Sequence, residues 1–145
     1  MRDGTTTRDL MIKFKHVATL AVVLITFILP LSALAEMIHC TECGMMVDIN
    51  SKYAARIVHG DTTLYFCDIG DMFSYLRRNK TGNTKMEVKD NMTGDWIDAV
   101  KAHYVRDEKK FRTPMGWGVA AFQDAKAAAE FGSPSDFSAT DKSLQ

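Results

Sequence analysis

Thr62-Thr63-Leu64-Tyr65-Phe66-Cys67-Asp68-Ile69-Gly70-Asp71-Met72-Phe73 is the stretch that decides the fold. Its first six residues are β-branched, aromatic or apolar, and that composition predicts a strand. Asp68 changes the pattern. A short acidic side chain there suits a helix N-cap. Phe73, Tyr75 and Leu76 then supply the helix with apolar faces, and Arg77-Arg78 closes it where cations suit the helix dipole. Upstream, Tyr53–His59 reads as a strand and Gly60-Asp61 as a turn, so Thr62–Cys67 is the returning arm of a hairpin.

Downstream, residues 79–83 form a loop, Lys85–Lys89 alternates as a strand, and residues 90–95 carry turn chemistry. A similar order recurs. Trp96-Ile97-Asp98 begins a strand-like segment, Ala102–Val105 is a strand, and Arg106–Lys110 is a charged turn. Arg112–Gly118 is a loop held by Pro114 and two glycines. Val119–Phe122 is an apolar strand, and Gln123–Phe131 is a helix with an expected apolar stripe of Ala125, Ala128 and Ala129. Gly132-Ser133-Pro134 ends it. The expected architecture is α+β, with two small ββαβ-type halves in one compact domain over residues 36–134. Residues 135–145 are polar apart from Phe137 and Leu144 and read as a disordered tail.

The N-terminus reads as an export signal over residues 1–35. Arg8, Lys13 and Lys15 precede an apolar run from Val17 to Leu31, and Ala33-Leu34-Ala35 supplies an A-x-A cleavage site. The run is shorter than the roughly 20 residues of a membrane span, so an uncleaved N-terminal anchor is the alternative. The residues before Cys40 do not form a lipobox. Removing the four Lys/Arg and two Asp/Glu of residues 1–35 from the 18 of each in the whole chain leaves 14 and 16, a formal charge of −2. That balance offers nothing to attract nucleic acid. No G-x-S-x-G, H-E-x-x-H or Gly-rich phosphate loop occurs, so no enzyme and no small-molecule substrate is expected.

The chemistry concentrates in His39-Cys40-Thr41-Glu42-Cys43-Gly44-Met45-Met46-Val47. Two thiols, a histidine and two thioethers within nine positions suit a soft metal, Cu(I) before zinc. A CxxC in an exported chain also fits a disulfide, a redox pair or two structural thiols. Gly44 lets the backbone turn, so that Met45 can face the ion held by Cys43, while Met46 is expected in the core. Cys67, between a strand and a helix N-terminus, is a third candidate whose position favours thiolate. An odd cysteine count rules out a complete disulfide framework. Met115, in the rigid loop Thr113-Pro114-Met115-Gly116, has no periodic reason to be core and is a candidate thioether ligand. His39 is a further candidate; His59 and His103 are weaker ones, and Met72 reads as core.

Cys43-Gly44-Met45, the hairpin, Phe66 with Asp71-Met72-Phe73, Thr93–Ala99, Ala102–Val105, Thr113–Gly116 and Ala121-Phe122 together resemble the NosL family of copper chaperones for nitrous oxide reductase maturation. The resemblance implies a fold similar to organomercurial lyase and Cu(I) ligation through Cys43, Met45 and Met115. It also implies partners: apo nitrous oxide reductase or its membrane ABC-type (NosDFY-like) maturation complex. Family members are commonly lipoproteins, whereas the A-x-A site here predicts a freely diffusing periplasmic protein. Cys40 and Cys67 add a likeness to TRASH and YHS metal modules, in which CxxCGM is followed by a hairpin ending in Phe-Cys. The alternatives from the residues are a thiol–disulfide module using Cys40 and Cys43, and a structural zinc domain for protein binding.

Overall fold

The computed structural model describes residues 37–82 and 84–145; the expected signal segment lies outside them. Among the described residues, no helix is long and apolar enough to cross a membrane. The chain runs β1 (Ala55–His59), β2 (Thr62–Phe66), α1 (Ile69–Arg78), β3 (Lys85–Lys89), β4 (Trp96–Asp98), β5 (His103–Arg106), β6 (Val119–Phe122), α2 (Ala125–Phe131) and α3 (Phe137–Ser143). The α+β class expected from the sequence is the one observed.

Four antiparallel strands form one sheet in the order β2-β1-β3-β4, and β5-β6 form a second. The first sheet sorts its side chains by the two-residue period of a strand. Ala55 and Ile57 of β1 pair with Val88 and Met86 of β3 on the core side. Arg56 pairs with Glu87 on the other face, where their ion pair measures 2.6 Å and Lys85 adds a second at 2.7 Å. Burial opposes the Glu87 carboxylate, but Lys85 and Arg56 outweigh it and hold its pKa below the ordinary value. Trp96 completes that face, with Arg56 4.3 Å and Lys89 4.5 Å from its ring centre.

The two halves are related by topology. After β1, β2 and α1, the chain returns in β3 beside β1. After β5, β6 and α2, it returns beside β5 at Ser135 alone, whose N–H and C=O bond Tyr104 at 2.8 and 2.9 Å. Each helix follows the same local plan. Phe66 ends β2 and Asp68 caps α1; Phe122 ends β6 and Asp124 caps α2. Gln123 occupies in the second half the place that Cys67 holds in the first, so only one half carries a thiol there. β4 adds to the first sheet rather than opening the second half.

Three expectations are corrected. Residues 135–145 are not a disordered tail. Asp136 caps α3 by accepting from Ala139 N at 2.7 Å, Phe137 lies 4.7 Å from the Phe73 ring, and Leu144 is buried. The polar composition hid the spacing of Phe137, the buried Thr140 and Leu144, which places them along one side of the helix and its cap. On α2, Ala128 is the buried alanine and packs with Ala127 and Phe131, while Ala125 and Ala129 are exposed. Met46 is 66% exposed, not core. Met72 is buried, in keeping with its reading as core.

Candidate metal centre

The CxxC segment folds as a small knuckle. Val47 N donates to Ile38 O at 2.8 Å and Cys40 N to Met45 O at 2.7 Å, so the two arms of residues 38–47 run antiparallel. Gly44 N donates back to Cys40 O at 2.9 Å. The reversal places Gly44 at φ +75°, a conformation that a side chain would strain. The knuckle is fastened to the fold at two points. Thr41 N donates to Tyr65 O of β2 at 2.8 Å, and Glu42 accepts from Ser74 Oγ at 3.1 Å and from Arg78, both on α1.

This docking lays Cys40 and Cys43 over the junction of β2 and α1. Cys67 comes from the junction itself, and Asp71 from the first turn of α1. One donor atom from each of Cys40, Cys43, Cys67 and Asp71 lies within 4.8 Å of every other. Cys43 Sγ is 3.5 Å from Cys67 Sγ, and Asp71 Oδ2 is 3.4 Å from Cys40 Sγ and 3.6 Å from Cys67 Sγ. Cys40, Cys67 and Asp71 are buried, and Cys43 is half-buried at the edge of the group. All three cysteines are free thiols.

Asp71 was not among the site residues read from the sequence. The signal was its spacing, four residues after Cys67, which places the two on one side of the strand–helix junction. A carboxylate buried among thiols requires partners. Trp117 Nε1 donates to the other oxygen, Oδ1, at 2.9 Å.

The loop that carries Met115 is fastened to the same turn of α1. Asp68 is fully buried; its Oδ1 accepts from Gly70 N at 3.1 Å and its Oδ2 from Met115 N at 3.0 Å. Burial raises the Asp68 pKa, while hydrogen bonds from Thr113, Gly70 and Met115 oppose the shift. The Trp117 indole lies against Gly70, where a Cβ would come within 2.1 Å of its Cγ. Two acidic residues at the start of α1, the cap Asp68 and Asp71 of the first turn, therefore hold residues 115–117. Met45 and Met115 keep 46% and 43% of their surface exposed.

Cys43 and Cys67 are held toward the protonated thiol. Burial raises the Cys43 pKa, with the Met45 backbone opposing it. Burial raises Cys67 further, reinforced by its hydrogen bond with Cys43 and by Cys40 and Asp71. The expectation that the helix N-terminus favours a Cys67 thiolate is overturned: desolvation and neighbouring acids outweigh the dipole. A metal entering this group displaces protons, and its affinity rises with pH.

His39 does not join the four. It is exposed, with Nδ1 3.1 Å from Gly44 O. His59 ends β1 and His103 begins β5, also outside the cluster. The arrangement fits metal binding: three thiols and a carboxylate converge on one small space, in a shell of buried apolar residues. Comparison with protein families agrees, since the family model described as NosL matches residues 30–136. No curated protein matches the chain.

Proposed function

Because the chain belongs to the NosL family, we propose that it is a periplasmic Cu(I) chaperone, not an enzyme, that passes copper to a client such as nitrous oxide reductase. The observation that carries this reading is the cluster of Cys40, Cys43, Cys67 and Asp71, in which Cys43 alone is half-buried; the exposed Met45 lies nearby in sequence, and the exposed Met115 sits on a loop tied to the same helix start through Asp68. Soft sulfur donors select Cu(I). Cys43 supplies a thiolate, and Met45 and Met115 supply thioethers, with Cys40 or Cys67 as auxiliary donors.

An ion bound at Cys43 stays within reach of a partner's ligands, because thioethers on exposed loops can be exchanged one at a time. The bracket of Asp68 and Asp71 keeps the Met115 loop in register, so the outer donors are preorganised. The family supports delivery to apo nitrous oxide reductase or to its membrane ABC-type maturation complex. Export by a cleaved signal over residues 1–35 places the chain in the same compartment as that client.

Reduced protein titrated anaerobically with Cu(I) against a chromogenic chelator tests the reading. One tight equivalent, weakened by both Cys43→Ser and Met115→Leu, is expected. Unchanged affinity in Met115→Leu would remove the loop from the site. A stable disulfide without metal uptake would instead favour the redox alternative.

A further inference from the structure

Asp71, and whichever of Cys40 and Cys67 the Cu(I) ion does not recruit, have donor atoms that the exposed copper site leaves unused. We infer that Cys40, Cys67 and Asp71 form, with Cys43, an inner tetrahedral site for a divalent cation of the zinc class, which shares Cys43 with the outer Cu(I) site and so excludes it. The inner site stands on its own geometry; only the exclusion rests on the copper reading.

Edge lengths support the inference. A tetrahedral zinc ion with Zn–S near 2.3 Å and Zn–O near 2.1 Å sets sulfur–sulfur edges of about 3.8 Å and sulfur–oxygen edges of about 3.6 Å. The observed sulfur–oxygen edges are 3.4 and 3.6 Å, and the Cys43–Cys67 sulfur edge is 3.5 Å. The remaining pairs lie within 4.8 Å, so small side-chain rotations close the tetrahedron. Asp71 already has the outer contact that orients a ligating carboxylate, because Trp117 Nε1 holds Oδ1 and leaves Oδ2 toward the sulfurs.

Charge gives the selectivity. Three thiolates and one carboxylate carry four negative charges in a space where three of the four residues are buried. A divalent ion neutralises half of that charge and Cu(I) only a quarter, and uncompensated buried charge is costly. The carboxylate is also a hard donor, which zinc accepts readily and a soft monovalent ion does not. Cu(I) is thus steered outward to Cys43 and the thioethers, while the divalent ion takes the interior.

Co(II), a spectroscopic substitute for Zn(II), tests this in the reduced chain. The expected result is one equivalent with tetrahedral ligand-field bands and a thiolate-to-cobalt charge-transfer band of three-thiolate intensity. Zn(II) should displace it, and one equivalent of Cu(I) should abolish it. Asp71→Asn retains the acceptor for Trp117 and should weaken Co(II) binding at least tenfold. Cys40→Ser removes an inner donor without touching that hydrogen bond, and serves where Asp71→Asn fails to fold. Met115→Leu should leave the Co(II) spectrum unchanged while weakening Cu(I). No Co(II) uptake, a spectrum and affinity unchanged in both Asp71→Asn and Cys40→Ser, or simultaneous loading of Co(II) and Cu(I) would each overturn the inference. An unaltered Cu(I) affinity in Met115→Leu would sink the copper reading while leaving the inner site standing.

Discussion

Replacing Gly70 with alanine sets two effects of opposite sign against each other. In the first turn of a helix, alanine is favoured over glycine by about 1 kcal/mol. Local propensity alone therefore predicts a more stable protein. The structure predicts the reverse. The new Cβ would stand 2.1, 2.4 and 2.5 Å from Cγ, Cδ1 and Cδ2 of Trp117, so the indole must move. Overpacking of this kind costs about 1–3 kcal/mol. Displacing the ring also breaks the 2.9 Å bond from Trp117 Nε1 to the buried Asp71 carboxylate, worth about 1.5–3 kcal/mol. The net loss is about 1.5–5 kcal/mol, and Tm should fall by on the order of 10 °C. Because Met115 rides on the same loop, Cu(I) affinity should fall as well. Urea unfolding of the metal-free protein and chelator competition measure the two consequences. Trp117→Phe isolates the hydrogen bond, and should lose about 1.5–3 kcal/mol without the steric term. A Gly70→Ala protein of equal or greater stability, with copper affinity intact, would show that the loop is not braced by α1.

Other consequences can be measured directly. Glu87 has a lowered pKa in the folded state, so its pairs stabilise above the usual carboxylate range and lose that effect as pH falls through the folded value. Glu87→Gln should cost about 1–2 kcal/mol near pH 7, and the gap to the parent protein should shrink on acidification; a gap that widens would contradict the pairing. A chain ending at Pro134 should lose about 3–5 kcal/mol, since it gives up the Ser135 pairing and the Phe137 and Leu144 contacts; unchanged urea midpoints would return those residues to the status of a tail. Cys43, the thiol at the edge, should be alkylated first, more slowly than free cysteine at neutral pH and faster as pH rises, whereas Cys40 and Cys67 react on unfolding. Peptide mass mapping that finds Cys67 modified first would reverse the burial order.

Much of this protein can be read in its sequence because its signals are local. Asp68 marks a helix start whatever surrounds it, since a cap needs only the next few backbone N–H groups. Lys85–Lys89 and Val119–Phe122 are strands at the expected bounds, because alternation or a short apolar run is a property of the segment. Cys43-Gly44-Met45 announces a turn beside a soft donor for the same reason. What failed was whatever depended on environment. Cys67 sits where a helix dipole would lower its pKa, but burial among Cys40, Cys43 and Asp71 raises it. Phe137 and Leu144 look sparse in a polar segment until Phe73 and Tyr104 lie beneath the helix.

The sequence alone determined the element types up to Pro134, the donor inventory and the positions where the chain must turn. Only the tertiary structure brought Asp71 among the three thiols and tied Met115 and Trp117 to the first turn of α1. Apart from Asp71 with Cys67, those contacts span 28 to 47 residues of chain, as in Asp71 with Cys43 and Met115 with Asp68. No periodicity within a segment encodes such distances. They arise because the knuckle, the β2–α1 junction and the 113–118 loop bury their apolar parts against one core, which fixes where their polar atoms converge.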